Sequence, residues 1–256
     1  MIAKLLRAII PARFRPIRYL ENLVYNRVNG RIPQGPFSGM RYIRDSVGSA
    51  YVPKLLGIYE RELTGYVEQA CASRFPLIVD IGAAEGYYAV GMSLRNPNAR
   101  IIAFEMEERG RTALQEMAAL NGVASRIHIH EKCDCADLQA VLMHSDRALV
   151  ICDVEGDEEK LLNPSAIPAL AHTQLLVETH DFVLRGVTER LVKRFSPTHE
   201  VRRIWQEARN HEEMPYHTLG TSLLPRRYLD WAVSEWRPEK MSWLWMEPRT
   251  MVNATA

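Results

Sequence analysis

Two stretches of this 256-residue chain concentrate side chains that can move protons. CDVEGDEE, residues 152–159, holds Asp153, Glu155, Asp157, Glu158 and Glu159, five carboxylates in seven positions. ETHD, residues 178–181, sets His180 among Glu178 and Asp181. A histidine beside carboxylates can act as a general base at neutral pH. Each stretch follows an apolar run, ALVI at 148–151 and QLLV at 174–177, that reads as a buried strand. Parallel strands present their carboxyl ends to one edge, so the two stretches should share a rim. His180, Asp153 and Glu155 are the candidate catalytic residues, with a structural rim histidine as the alternative for His180. Asp157, Glu158 and Glu159 read as acids in the first turn of a helix. So much like charge calls for an offset: a substrate cation, a metal ion or helix amides.

A third stretch, LIVDIGAAEGYYAVG at 77–91, has the pattern strand, small-residue turn, helix. That pattern brings a nucleotide-like ligand against the backbone at the carboxyl edge of a parallel sheet. A dinucleotide site needs glycines at G-x-G-x-x-G, and counting from Gly82 the third falls on Tyr87, whose bulk would take the phosphate's place. The small positions are instead Gly82, Ala84 and Gly86, preceded by Asp80 and interrupted by Glu85. A second strand, RIIAFE at 100–105, ends in Glu105, 23 residues beyond Gly82. Doubly wound folds place an acid that accepts from ribose hydroxyls about 20 residues past the turn.

The elements that must position these groups can be read in order. Helices are expected over 59–71, 87–94, 107–120 and 187–195, and further strands over 126–130, 199–207 and 242–246. His128 and His130 share a face of their strand, but no acid or thiol at ligand spacing joins them, and no metal site is expected. Cys133 and Cys135 read as small packing residues. Residues 30–57 read as an ordered loop and 210–240 as a polar insert, with Tyr216, His217, Arg226 and Arg227 as acceptor contacts. The domain reading is a basic helical and loop extension over 1–60 and one domain over 61–256.

Composition narrows the class. A net charge of +1 gives no argument for nucleic acid. Four scattered cysteines suit a reduced, cytoplasmic chain, and no apolar run reaches the roughly 20 residues of a membrane span. Within 1–31, seven basic residues face one acid, Glu21. Residues 2–10 carry Ile2, Leu5, Leu6, Ile9 and Ile10 on one helical face, an arm that packs on the domain or on a partner subunit, or else touches anionic membrane. An oligomer is compatible with such an arm.

Asp80-x-Gly82-x-Ala84-x-Gly86 resembles the first motif of class I S-adenosylmethionine (SAM) dependent methyltransferases. Joined to Phe104-Glu105, CDVEGDE at 152–158 and LLVETHD at 175–181, it looks like the FkbM-like group of that superfamily. The resemblance spans most of 77–181 and little of either end. Cys152 departs from it, since a basic residue is common there. It implies an α/β fold with a doubly wound, mostly parallel seven-stranded Rossmann-like sheet whose final strand is antiparallel. It implies SAM held by Asp80, Gly82, Ala84, Glu85, Gly86, Glu105 and Asp153, with Asp134 on the adenine amine, though an ordinary loop aspartate reads as well. The implied reaction is O-methylation of a hydroxyl on a sugar or other small acceptor. A nicotinamide enzyme, or a scaffold keeping only the fold, are the other classes, and a divalent ion on Asp153 and Asp181 is a variant mechanism.

Overall fold

The structure is a computed structural model and describes residues 16–48 and 50–249. The amphipathic stretch 2–10 lies outside the described residues. The chain divides into two compact units, Glu62–Gln206 with Arg237–Ala256, and Met1–Arg61 with Glu207–Trp236.

The larger unit is built on one seven-stranded sheet. Its strands are β1 (Leu77–Ile81), β2 (Arg100–Phe104), β3 (Ile127–His130), β4 (Ala148–Cys152), β5 (Gln174–Thr179), β6 (His199–Trp205) and β7 (Ser242–Pro248). They lie in the order β3-β2-β1-β4-β5-β7-β6. β1 to β5 pair in parallel, and β7 runs antiparallel to both β5 and β6. This is the expected Rossmann-like class I methyltransferase fold.

Every residue of β1, β4 and β5 is buried, which is why Leu77–Val79, Ala148–Cys152 and Leu175–Val177 within them read as continuous apolar runs. Leu77, Val79, Val150, Leu175, Val177 and Leu244 share one core cluster with Leu161, Leu191 and Phe195. Each such aliphatic side chain contributes roughly 1.5–3 kcal/mol when fully buried, so the central strands anchor the loops that leave them. Register aligns those exits: Ile81 pairs with both Phe104 and Cys152, and Cys152 with Val177. The strand order reverses between β1 and β4, and a doubly wound sheet binds its ligand at the carboxyl side of that point.

The helices in chain order are α1 (Pro16–Arg27), α2 (Tyr51–Leu56), α3 (Thr64–Ser73), α4 (Tyr87–Arg95) and α5 (Glu108–Leu120). They continue with α6 (Cys135–Leu142), α7 (Glu158–Leu161), α8 (Val187–Phe195), α9 (Leu219–Ser222) and α10 (Arg226–Val233). Four regions differ from the sequence reading. α1, over Pro16–Arg27, is a helix beyond those expected. The 30–57 loop contains α2, ended by Gly57 in the left-handed region at φ 69°. The stretch after β3 contains α6, and the insert read over 210–240 contains α9 and α10.

In the smaller unit, α1 buries Leu20 and Val24, and α10 buries Leu229, Ala232 and Val233. Arg209 and Glu235 form a buried ion pair at 2.9 Å, and Glu235 also accepts the Glu60 N–H at 3.0 Å. Tyr216, His217, Arg226 and Arg227, read as acceptor contacts, all belong to this unit.

Candidate active site

The turn after β1 is shaped by two glycines and an alanine in the left-handed region: Gly82 at φ +83°, Ala84 at +47° and Gly86 at +92°. At Gly82 a side chain is excluded twice over, because its Cβ would lie 1.7 Å from the Asp153 carbonyl oxygen. The β1 turn and the loop after β4 therefore touch backbone to backbone. Gly86 is the N-cap of α4, and a Cβ there would meet Leu114 of α5 at 2.1 Å. Ala84 holds the same backbone region with a Cβ, a strained state that tightly packed surroundings must enforce.

The amides of this turn are already engaged. Gly82 and Ala83 donate to the Phe104 carbonyl at 2.9 and 3.0 Å, and Gly86 donates to Ala83 at 2.8 Å. Ala84 donates to Glu105 Oε2 at 2.7 Å. Glu105, buried at the end of β2, also takes the Glu107 N–H on Oε1 at 2.7 Å. A carboxylate offers about four acceptor sites, so Glu105 keeps capacity for two more donors while its position is held by backbone. Gly110 of α5 makes room for it, since a Cβ there would sit 2.6 Å from Glu105 Cγ. Asp80, before the turn, and Glu85, within it, are buried, at 3% and 0% exposure.

At the ends of β4 and β5 the structure brings Asp153 and His180 together, with His180 Nε2 3.4 Å from Asp153 Oδ1. Glu178 Oε1 lies 3.9 Å from the same nitrogen. The other ring nitrogen, Nδ1, is hydrogen-bonded to Glu158 Oε1, which also accepts the Gly156 N–H at 3.1 Å. His180 itself is 4% exposed and Phe182 stands edge-on to its ring, centroids 5.7 Å apart. Burial alone would lower the imidazole pKa. The hydrogen bond to Glu158 and the charges of Asp153, Glu158 and Glu155 outweigh it, and the net shift is upward.

Glu155 joins this rim only at a distance: it is exposed, at φ +49°, and contributes charge to His180. Asp181, the second ligand of the variant metal reading, instead accepts from the Thr188 hydroxyl and lies 3.9 Å from Arg203. Among the described residues the group that could hold an ion is Asp153, Glu178 and His180, whose ligand atoms lie within 4.8 Å of one another.

Asp134 is the N-cap of α6. Its Oδ1 accepts from Ala136 and Asp137 at 2.8 and 2.9 Å, and Asp137 returns a bond to the Asp134 N–H. These backbone bonds, that to Asp137 first, hold the carboxyl below its ordinary value. A helix cap thus accounts for an aspartate here without a ligand, and the D-x-x-D spacing was the sequence signal for it. Cys133 is raised to about 12, first by burial and then by Asp137 and Asp134, as suits a packing thiol. His128 is exposed, and so is His130, beside Phe104.

Sequence reasoning placed Glu178 on the rim but missed its partner Arg237 and the burial of Glu158. Glu158 was read as an acid in the first turn of a helix; it stands there, but fully buried. Glu178, inside β5, is ion-paired with Arg237, whose guanidinium lies 4.7 Å from the Trp243 ring centre. Glu178 was legible as one of the polar groups that follow the apolar run Leu175–Val177. Arg237 was not, because its partner lies 59 positions away.

No family model matches the sequence, and no curated protein matches it. Among solved structures, the chain is similar to cofactor-bound Rv0187 from MTB at 10% identity, covering 95% of each chain with a TM-score of 0.46. It is similar to the C-terminal domain of precorrin-6Y C5,15-methyltransferase from Rhodobacter capsulatus at 17% identity, over 69% of this chain and 82% of that one, TM-score 0.43. An O-methyltransferase from Bacillus cereus in complex with SAH matches at 11% identity, over 54% and 71%, TM-score 0.41. The fold assignment rests on the strand order and not on these likenesses.

Proposed function

We propose that this chain is a SAM-dependent methyltransferase acting on a hydroxyl of a small acceptor. The observation that carries the reading is the contact of the β1 turn with the β4 loop at Gly82 and Asp153. It makes the glycine turn and the His180 rim neighbours, so a ligand cradled by one faces the proton acceptor on the other.

The residues present fit an adenosyl sulfonium better than a diphosphate. The N–H groups of Gly82, Ala83, Ala84 and Gly86 are spent within the protein, leaving these amides no role as an anion cradle. The carboxylates of Asp80, Glu85 and Asp153 suit a cationic, ammonium-bearing ligand, and Glu105 retains acceptor capacity for vicinal hydroxyls. A nicotinamide dinucleotide finds the opposite of what it needs.

With SAM bound, the methyl on its sulfonium is the electrophile for in-line attack. The chain's own work is to align the acceptor oxygen, exclude water and take its proton. His180 Nε2, facing Asp153, is the proton acceptor, and Asp153 steadies the imidazolium that results. The exposed run Phe182, Val183 and Leu184 begins two residues after His180 and gives the acceptor's body an apolar lip. An acceptor with a sugar or other small hydroxylated scaffold, handled in the cytoplasm, is the resemblance-based refinement, with no role for nucleic acid.

A second reading has a divalent ion on Asp153, Glu178 and His180, favoured by their mutual approach. Against it, the Arg237 guanidinium already neutralises Glu178.

Calorimetric titration with SAM and with its demethylated product tests the first reading. Both should bind, and Glu105→Ala should weaken binding at least tenfold. Transfer of labelled methyl to a panel of hydroxylated acceptors should fall by roughly 10²–10⁴ in His180→Ala, with SAM binding retained. Wild-type protein that binds neither ligand would leave a scaffold role. Transfer that stops in chelator and returns with magnesium would put the ion reading first.

A further inference from the structure

Glu158 has no place in the methyl-transfer reading, yet it is the more deeply buried partner of His180. It opens the four-residue helix α7, where acids are ordinarily exposed and serve the helix terminus. Its neighbour Glu159 behaves in that way, partly exposed and paired with Arg190 at 2.7 Å. Glu158 has 0% exposure. Burying an ionised carboxylate is costly unless it is hydrogen-bonded and paired, so its contacts must answer for it. Two are present, both on Oε1: the Gly156 N–H and His180 Nδ1.

That shared oxygen decides a tautomer. An ionised Glu158 Oε1 that already accepts the Gly156 N–H offers Nδ1 only a lone pair, and because its contact with the ring is closer than the 3.4 Å between Nε2 and Asp153 Oδ1, the single proton of the neutral ring sits on Nδ1. The neutral imidazole then carries its lone pair on Nε2, the nitrogen that faces Asp153 and Glu178. We propose that Glu158 is the positioning residue of this site, holding His180 in the Nδ1–H tautomer with Nε2 turned to the rim where an acceptor hydroxyl would lie. The proposal rests on the methyltransferase reading for its purpose but not for its geometry. The loop 153–157 belongs to the same device: Glu155 at φ +49° and Gly156 at φ +117° turn the chain so that the Gly156 N–H meets the side chain two residues on. Val183, after His180, closes on Gly156, where a Cβ would approach Val183 Cγ1 to 2.6 Å.

The test is ¹⁵N–¹H correlation NMR of the His180 ring in the full-length protein without ligand, at a pH where the ring is neutral. Wild type should show a single tautomer protonated at Nδ1. Glu158→Gln should keep it, because the Gly156 N–H forces the amide oxygen, and not the amide nitrogen, toward the ring. Glu158→Ala should lose it and show exchange between tautomers. Thermal melts identify a variant that has unfolded, and the wild-type spectrum stands without either variant. A wild-type ring protonated at Nε2, or a folded Glu158→Ala protein with the wild-type tautomer, would overturn the proposal. SAM calorimetry on the same samples separates the two readings: unchanged binding in Glu158→Ala is expected, and absence of binding in wild type would remove the methyltransferase reading while leaving the tautomer result intact.

Discussion

At the scale of single residues, the site depends on groups whose neighbours leave no slack. Gly82 is the sharpest case, since both its backbone region and the Asp153 carbonyl exclude a side chain. Gly82→Ala should therefore cost more than the ~1–3 kcal/mol of a strained backbone residue alone, read as a lower Tm, and should weaken SAM binding in parallel. His180 has a pH consequence whose sign follows from its raised pKa. Charge on the ring stabilises the fold fully below the unfolded value near 6.5, and that contribution is lost as pH rises through the higher folded value. A Tm-against-pH series should decline across that window in wild type and lose this component in His180→Gln. Catalysis should run the other way. The acid limb of kcat/KM should lie above the ordinary imidazole range, because only the neutral ring accepts a proton.

At the scale of elements, loops leaving adjacent strand ends do the positioning, and caps fix where the following helices begin. Asp134 shows how a cap can imitate a ligand contact in sequence. Asp134→Asn should preserve Tm, since asparagine caps equally well, whereas Asp134→Ala should lower it. If SAM affinity follows the same order as Tm, the cap accounts for the residue; a loss of affinity in Asp134→Asn at unchanged Tm would mark a ligand contact. Helices α6, α9 and α10 were not legible in advance. Each is four to eight residues long, about the span at which an apolar stripe is too short to stand out from a loop. The strands were legible because β1, β4 and β5 are buried on both faces and each carries an apolar run of three or more residues.

At the scale of the molecule, the sheet order puts the end of β1 beside β2 on one side and β4 on the other, and β4 beside β5. The turn, Glu105 and the His180 rim thereby occupy one edge. Among the described residues no helix is long and apolar enough to cross a membrane. The proposed arm over 2–10 is tested by flotation with anionic vesicles: removal of 1–15 should abolish any binding and leave SAM affinity unchanged.

The amino-acid sequence by itself determined the strand runs, the turn of small residues and the acids and histidine at the strand ends. These are local properties, set by side-chain volume, periodicity and the backbone freedom of glycine. Only the tertiary structure decided how charge is shared among them. Glu158 meets His180 across 22 positions and Arg237 meets Glu178 across 59. A carboxylate's role turns on whether it is hydrated or buried against a partner, and chain neighbours carry no record of partners that distant.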